Sequence, residues 1–352
     1  MSGPLRSGYT TGACSAASAK AAAMLLLGEE TSREVEIGLP DGERMRIPLI
    51  YARRTETGAE AAVRKDAGDD PDITQGATVI ASVAWADGHD ILLNAGEGVG
   101  MVSKPGLSVP PGEPAINPVP RQMIRAAIRE VTARGVKVTL SIPGGREMAA
   151  KTFNPRLGIE GGLSILGTSG RVRPFSCPAM RVSLRCSLDV AVACGVLAPV
   201  FVPGRIGEKA ARRHFRLTAE QVVEVSNEWG FMLDCAAAHP FKGLLALGHP
   251  GKLAKLAAGD WNTHSSKSDN PIPWVSGLAE KILGRPLLHH QTTEGLFASL
   301  PAEERRRLGD ALAGQVRRKI AKRLAGSFKI ASVLVDMQGE WIGGNGDLAL
   351  WK

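Results

Sequence analysis

Apolar and polar positions change period along this chain. Between Thr10 and Gly28 small apolar residues run almost unbroken, predicting a helix over 13–27, capped by Thr10-Thr11 and stopped by Gly28. Lacking a wide polar face, that helix calls for close packing against a sheet. Alternation at Val35-Glu36-Ile37 and Met45-Arg46-Ile47, flanking Asp41-Gly42, predicts a hairpin. Ala77 to Trp85 and Asp90 to Leu93 read as a second strand pair around Asp87-Gly88. An amphipathic helix over Pro120 to Ala133 and a strand over Val136 to Ile142 follow, so the first part is α+β.

Beyond residue 160 the pattern differs. Ser187 to Cys194 reads as a helix and Ala198 to Val202 as a short buried strand ending at Pro203-Gly204. Thr218 to Trp229 reads as a helix, with Thr218 and Gln221 resembling a capping box. Leu244 to Leu247 is a strand running into Gly248-His249-Pro250-Gly251 and a helix through Ala258. Strand, glycine loop and helix, repeated, predict a parallel α/β layer, which binds ligands beyond the carboxyl ends of its strands. In the tail, Leu308, Leu312, Val316, Ile320 and Leu324 form a core-facing stripe among many arginines, read as a solvated face, before a last strand over Ile330 to Asp336. The expected fold class is α/β: an α+β domain over 1–165 and a Rossmann-like α/β domain with a helical C-terminal part over 166–352.

One segment fits neither period. From Asn94 to Arg121 glycine and proline are so dense that no long helix or strand survives. A long irregular stretch inside a folded domain is usually functional. Its glycine-rich start, Gly96, Gly98 and Gly100, would let backbone amides approach a ligand, with Lys104 adding a positive charge.

Composition narrows the field. The 352 residues suit two domains, and 44% hydrophobic with 22% charged residues is ordinary for a globular protein. No apolar run reaches the roughly 20 residues of a membrane span, and no signal peptide is legible, so the default location is cytoplasmic. Five cysteines without a CxxC pair argue against a disulfide framework or a zinc finger and for buried thiols. The net charge of +8 suits an anionic partner; with aromatics at 5% and no recognised binding motif, nucleic acid is the weaker choice.

Several clusters carry candidate chemistry, each with a plainer reading beside it. Thr10 and Thr11 could offer hydroxyls and helix amides to an anion, or simply cap the helix. The run Lys65 to Asp72 holds four carboxylates but fails the calcium-loop pattern, so it reads as a tight turn, an ion pair with Lys65, or a proton acceptor. His249 and His264 have the wrong spacing for paired metal ligands, leaving hydrogen-bonding, base or structural roles. The loops at Gly204 and at Gly248 to Lys252 lack the GxGxxG fingerprint. Arg171 and Arg173 could grip carboxylates bidentately.

Four stretches then carry a resemblance: Leu5 to Ala22, Lys65 to Thr74, Gly96 to Arg121 and Gly248 to Ser265 resemble, in order, the CbiD family of cobalamin-biosynthesis C-methyltransferases. The stretch Gly167 to Pro174 resembles a fifth family motif but diverges, with Ser169 and two arginines. The resemblance implies transfer of a methyl group from S-adenosyl-L-methionine to C1 of cobalt-precorrin-5B, an anionic tetrapyrrole that brings its own cobalt, so no protein metal site is required. On that basis Lys65, Lys104 and Arg121, with Thr10, Thr11, Arg171 and Arg173, would hold the substrate, and Asp66 or Asp70 would accept any proton. Gly96, Gly98 and Gly100, or Gly204, Gly248, His249 and Gly251, would line the methyl-donor site. The glycine pattern of the common tetrapyrrole methylase fold is absent, so a different architecture is expected, with the site between the domains. Homo-oligomerisation and contacts with other corrin-pathway enzymes stay open. The rivals are a non-catalytic corrinoid carrier and a nucleic-acid-binding protein using the basic tail.

Overall fold

The computed structural model describes residues 5–174 and 177–352. The chain divides into two compact units, Met1–Cys177 and Pro178–Lys352.

In the first unit β1 (Gly8–Tyr9) leads into α1 (Thr11–Leu27), followed by β2 (Glu34–Gly38), β3 (Arg44–Thr55) and β4 (Gly58–Arg64). Next come β5 (Thr78–Trp85), β6 (Ile91–Ala95), β7 (Met101–Val102), α2 (Pro118–Arg129) and β8 (Val136–Ser141). The short elements α3 (Gly145–Ala149), β9 (Ile159–Glu160) and β10 (Arg171–Val172) complete it. Six strands form one sheet in the order β2-β3-β4-β5-β8-β6. Helix α1 lies between that sheet and α2 and is buried from Thr11 to Ala23 apart from Lys20. Its alanines and serines let both neighbours approach closely, which larger side chains would prevent.

Two expectations fail here. The strands at 77–85 and 90–93 do not form a hairpin: β8 inserts between them, antiparallel to β5 and parallel to β6. Val136, Val138 and Leu140 are fully buried there on one face of β8 while Lys137 on the other is exposed, and pairing on both sides satisfies backbone groups that an edge strand would leave open. The second strand of the first hairpin also runs on to Thr55 and turns back as β4, a pairing masked by the exposed Arg53-Arg54.

The second unit opens with α4 (Cys177–Ala193), longer than the expected helix, then β11 (Val200–Val202), α5 (Arg205–His214), β12 (Val222–Glu224) and α6 (Trp229–Ala237). After β13 (Gly243–Gly248) come α7 (Pro250–Ala258), α8 (Ile272–Leu283), α9 (Thr293–Ser299), α10 (Ala302–Arg323), β14 (Lys329–Val335) and β15 (Trp341–Asn345). The sheet order is β12-β11-β13-β14-β15, parallel except for β15. Strand β13 is buried at every position, as a doubly covered parallel strand must be. The tail stripe of α10 is buried as expected, and several of its arginines are engaged internally: Arg305 donates to Phe297 O, Arg307 to Ile282 O, and Arg323 clasps Asp234.

The helix expected over 218–229 is a correction. The Thr218 amide does donate to the Gln221 side chain at 3.1 Å, yet that bond closes a turn. Val222 and Val223 then pair with Val200 and Phe201, because β-branched residues gain more from a parallel edge than from a lone helical turn. The buried-thiol reading holds for Cys14 alone among the described side chains; Cys186 and Cys235 are half-buried and Cys194 is exposed. Among the described residues no helix is long and apolar enough to cross a membrane, and no group of side chains could hold a metal ion.

Candidate functional site

In the first unit the family-like stretches converge on a seam along residues 158–172. Strand β1 pairs with β10, so Tyr9 stands opposite Arg171. The Thr10 amide donates to Gly170 O, and the Thr10 hydroxyl accepts from the Ala13 amide as the N-cap of α1. The Thr11 hydroxyl exchanges bonds with both backbone groups of Leu166. Both threonines are buried and occupied, so they are capping and seam residues, with no open hydroxyl for a ligand.

The acidic run also turns inward. Arg6 clasps the Asp66 carboxylate with two guanidinium nitrogens, and the Arg6 amide donates to Asp69 at 2.6 Å. The Gly68 amide also reaches Asp66. Led by the Arg6 hydrogen bond, these partners pull the Asp66 pKa down to about 2, which makes it a poor proton acceptor. Lys65, only 2% exposed, is bonded to Asp72 at 2.6 Å and presents no cation to a substrate. Asp70 is half-buried in the same turn. Two of the expected arginines are likewise engaged in the protein. Arg121 donates to Ile116 O and Pro114 O and pairs with Glu113, bracing the Gly/Pro segment from within. Arg171 pairs with Glu43 and lies 3.9 Å from Asp41. Arg173 is exposed, and Lys104 is half-buried, its aliphatic stem lying directly over Gly158.

The Gly/Pro segment is ordered by pairing. Strand β7 joins β9, and bridges link Val99 to Leu163 and Ile116 to Ile165. Its glycines serve packing: a Cβ on Gly98 would stand 1.9 Å from Ile142 O, and Gly145 and Gly162 press their backbones against Gly98. Gly96 and Gly100 are closed in the same way by Ser141 and Ile159. The cleft beside them, about 470 Å³, is rimmed by Glu97, Glu147 and Glu160 with Arg146 as its cation. Three carboxylates disfavour a polycarboxylate there. The expectation of open glycine amides is corrected at Gly96 and Gly100, whose amides donate to Leu140 O and Leu163 O within the protein.

The second unit differs. Its strand order has the form 2-1-3-4-5, which reverses direction between β11 and β13, and ligands of such sheets bind where the loops after those strands part. Gly204 follows β11 and Gly248 ends β13; a Cβ on Gly248 would touch Pro203 at 2.8 Å, so the two loops lie side by side. His249 caps α7, its Nδ1 accepting from the Gly251 amide at 3.0 Å. Burial lowers the His249 pKa, consistent with a neutral ring able to accept. Behind them Lys252 donates to Asn227 at 2.7 Å and Thr263 to the same oxygen at 3.1 Å, joining the loop after β12 to the loop after α7. His264 stays exposed in that last loop, bonded to Ser266. The structure thus groups Gly204, Gly248, His249 and Gly251, with His264 at the margin.

Sequence reasoning missed Glu224 here. It ends β12 beside Gly204, and a strand-loop-helix with an acid about 20 residues on is the dinucleotide-fold spacing. The signal was readable from Gly204 but hidden by the helix expected over 218–229.

These features define a two-unit α/β protein whose second unit is of the doubly wound class, with the loops after β11 and β13 side by side at its strand-order reversal. Residues 1–174 match the model of the family named CbiD, and residues 262–346 match the CbiD C-terminal domain. A Syntrophotalea carbinolica protein named cobalt-precorrin-5B C(1)-methyltransferase is 56% identical over 99% of this chain and 99% of its own. One of the same name from Alkaliphilus metalliredigens is 39% identical, covering 95% of this chain and 90% of its own. A crystal structure of a cobalamin biosynthesis protein from Archaeoglobus fulgidus is 28% identical, covers 70% of this chain and 78% of that one, and has a TM-score of 0.40. The chain belongs to the CbiD family.

Proposed function

We propose that this protein transfers a methyl group from S-adenosyl-L-methionine to C1 of cobalt-precorrin-5B. The observation that carries this reading is the 56% identity, over 99% of both chains, to the relative of that name. The donor supplies a methyl group on a sulfonium sulfur, which leaves as a thioether when the ring carbon takes the methyl. The tetrapyrrole carbon is the nucleophile, so the protein needs no nucleophile of its own. Its work is to fix the two reactants and exclude water, where ordered proximity can supply several kcal/mol, roughly 7–11 at the limit.

The paired loops of the second unit suit an adenosyl group: a Cβ on Gly204 would meet no backbone closely, and His249, whose pKa burial lowers, and the amides at the start of α7 offer polar contacts. In the first unit Lys104 and Arg173 are the cations we assign to acetate and propionate arms. Asp66, ionised and clasped by Arg6, has a structural task. The cytoplasm is the compartment we assign.

The test is anaerobic incubation with cobalt-precorrin-5B and methyl-labelled S-adenosyl-L-methionine, with the label located by mass spectrometry. Label at C1 is the expected result. Tetrapyrrole binding without any transfer would instead favour the corrinoid carrier.

A further inference from the structure

Helix α7 places Lys252 and Lys255 one turn apart, where side chains are neighbours. Lys255 is only 7% exposed, and its ammonium donates to Thr263 O at 3.2 Å and to Ser268 Oγ at 2.8 Å. Lys252 is half-buried and donates to Asn227 Oδ1 at 2.7 Å, the oxygen that also accepts from the buried Thr263 hydroxyl. Thr263 thus links the two ammonium groups.

Every one of these acceptors is neutral. Among the described residues neither lysine forms an ion pair, and the nearby carboxylate of Glu228 is already engaged by Arg181 and Asn262, each at 2.7 Å. Glu294 and Asp336 act on His249, whereas Lys252 has its pKa lowered by burial and then by the like charge of Lys255. Two partly desolvated like charges without a counter-charge are unfavourable, and an anion beside them relieves both the repulsion and the desolvation. Donors remain for it. An ammonium carries three N–H groups, so after the bonds above Lys252 keeps two and Lys255 keeps one.

Resting on the reading of this protein as a methyltransferase of a tetrapyrrole, we infer that Lys252 and Lys255 form a carboxylate-binding site. Lys252, the less buried of the two, bonds the carboxylate, and Lys255 holds the second positive charge behind it. The ligand is a carboxylate of one of the two reactants: the methionyl tail of the methyl donor, or an acetate or propionate arm of the tetrapyrrole.

Titration of the full chain with S-adenosyl-L-methionine, its decarboxylated analogue and cobalt-precorrin-5B, each alone so that nothing turns over, separates the two sources. Lys252→Gln removes the charge but keeps an amide that can donate to Asn227, and Lys252→Met removes both. With the donor carboxylate in the site, both variants should lose roughly ten- to hundredfold for S-adenosyl-L-methionine, the range for a hydrogen bond to a charged group, and nothing for the decarboxylated analogue. With a tetrapyrrole arm there, the same loss should fall on cobalt-precorrin-5B and leave both donors unchanged. In either case Lys252→Arg, which keeps the charge, should restore most of the affinity. Unchanged affinities for all three ligands in both neutral variants overturn the inference. An equal loss for all three overturns it too, because that marks a purely structural lysine. A wild-type chain that binds neither reactant overturns the methyltransferase reading, and this inference with it.

Discussion

Replacing Asp72 by asparagine would leave the Lys65 ammonium buried with no counter-charge. Lys65 is 2% exposed, and its bond to Asp72 is 2.6 Å long. Burial pushes the Asp72 pKa up, but hydrogen bonds from Lys65 and Thr74 outweigh it and the net shift is downward. Asparagine keeps an oxygen for the Thr74 amide and hydroxyl, which Asp72 Oδ1 now serves, so the change isolates the charge. Breaking a buried pair from one side costs about 3–5 kcal/mol. The Asp72 side chain is 28% exposed, so water can relieve part of this and the lower end is expected. At about 2–4 °C per kcal/mol for a unit of this size, 3 kcal/mol lowers Tm by roughly 6–12 °C. Calorimetry would measure it, with hydrogen exchange over residues 59–77 attributing the loss to the first unit. Lys65→Met combined with Asp72→Asn removes both charges and should recover to within about 1 kcal/mol of wild type. A loss below about 1 kcal/mol for Asp72→Asn alone, or no recovery in the double variant, would refute the buried-pair account.

Gly98→Ala, with its new methyl 1.9 Å from Ile142 O and φ at +70°, should cost about 2–4 kcal/mol in urea unfolding, whereas Gly161→Ala, open though at φ +83°, should cost about 1. Equal costs would mean that the Gly98 contact can relax freely. The Asp66 pKa of about 2 lies below its unfolded value of about 3.9. Its contribution is therefore complete above the unfolded pKa and lost as pH falls through the folded one, and Asp66→Asn should flatten the loss of stability between about pH 4 and pH 2. An acid limb as steep as that of wild type would count against the Arg6–Asp66 clasp. Lys104→Ala should weaken tetrapyrrole binding more than methyl-donor binding, and matching losses in the two titrations would reject that division.

Residues 5–22, 65–74, 96–121 and 248–265 made the family legible, and the repeated strand-loop-helix pattern made the α/β layer legible. The candidate site was less so. The pairing of the acidic run with Lys65 was readable and is made by Asp72, but Asp66, Arg121 and Arg171, read as available to a substrate, each have an intramolecular partner. Gly96, Gly98 and Gly100 looked like a ligand-approach loop, and neighbouring atoms close on all three. Glycine permits close approach without saying what approaches, and a charged side chain does not announce its partner.

Local sequence was enough wherever the deciding interaction is local. Thr10 caps α1, Gly28 stops it, and the apolar stripe of α10 is buried, because caps and periodic faces depend on residues a turn or two apart. Tertiary structure decided what depends on distant partners: the insertion of β8 between β5 and β6, the strand at Val222–Glu224 in place of a helix, and the meeting of Glu224 with Gly204. In each of these the competing local structures differ by little, and burial against a remote strand settles the choice.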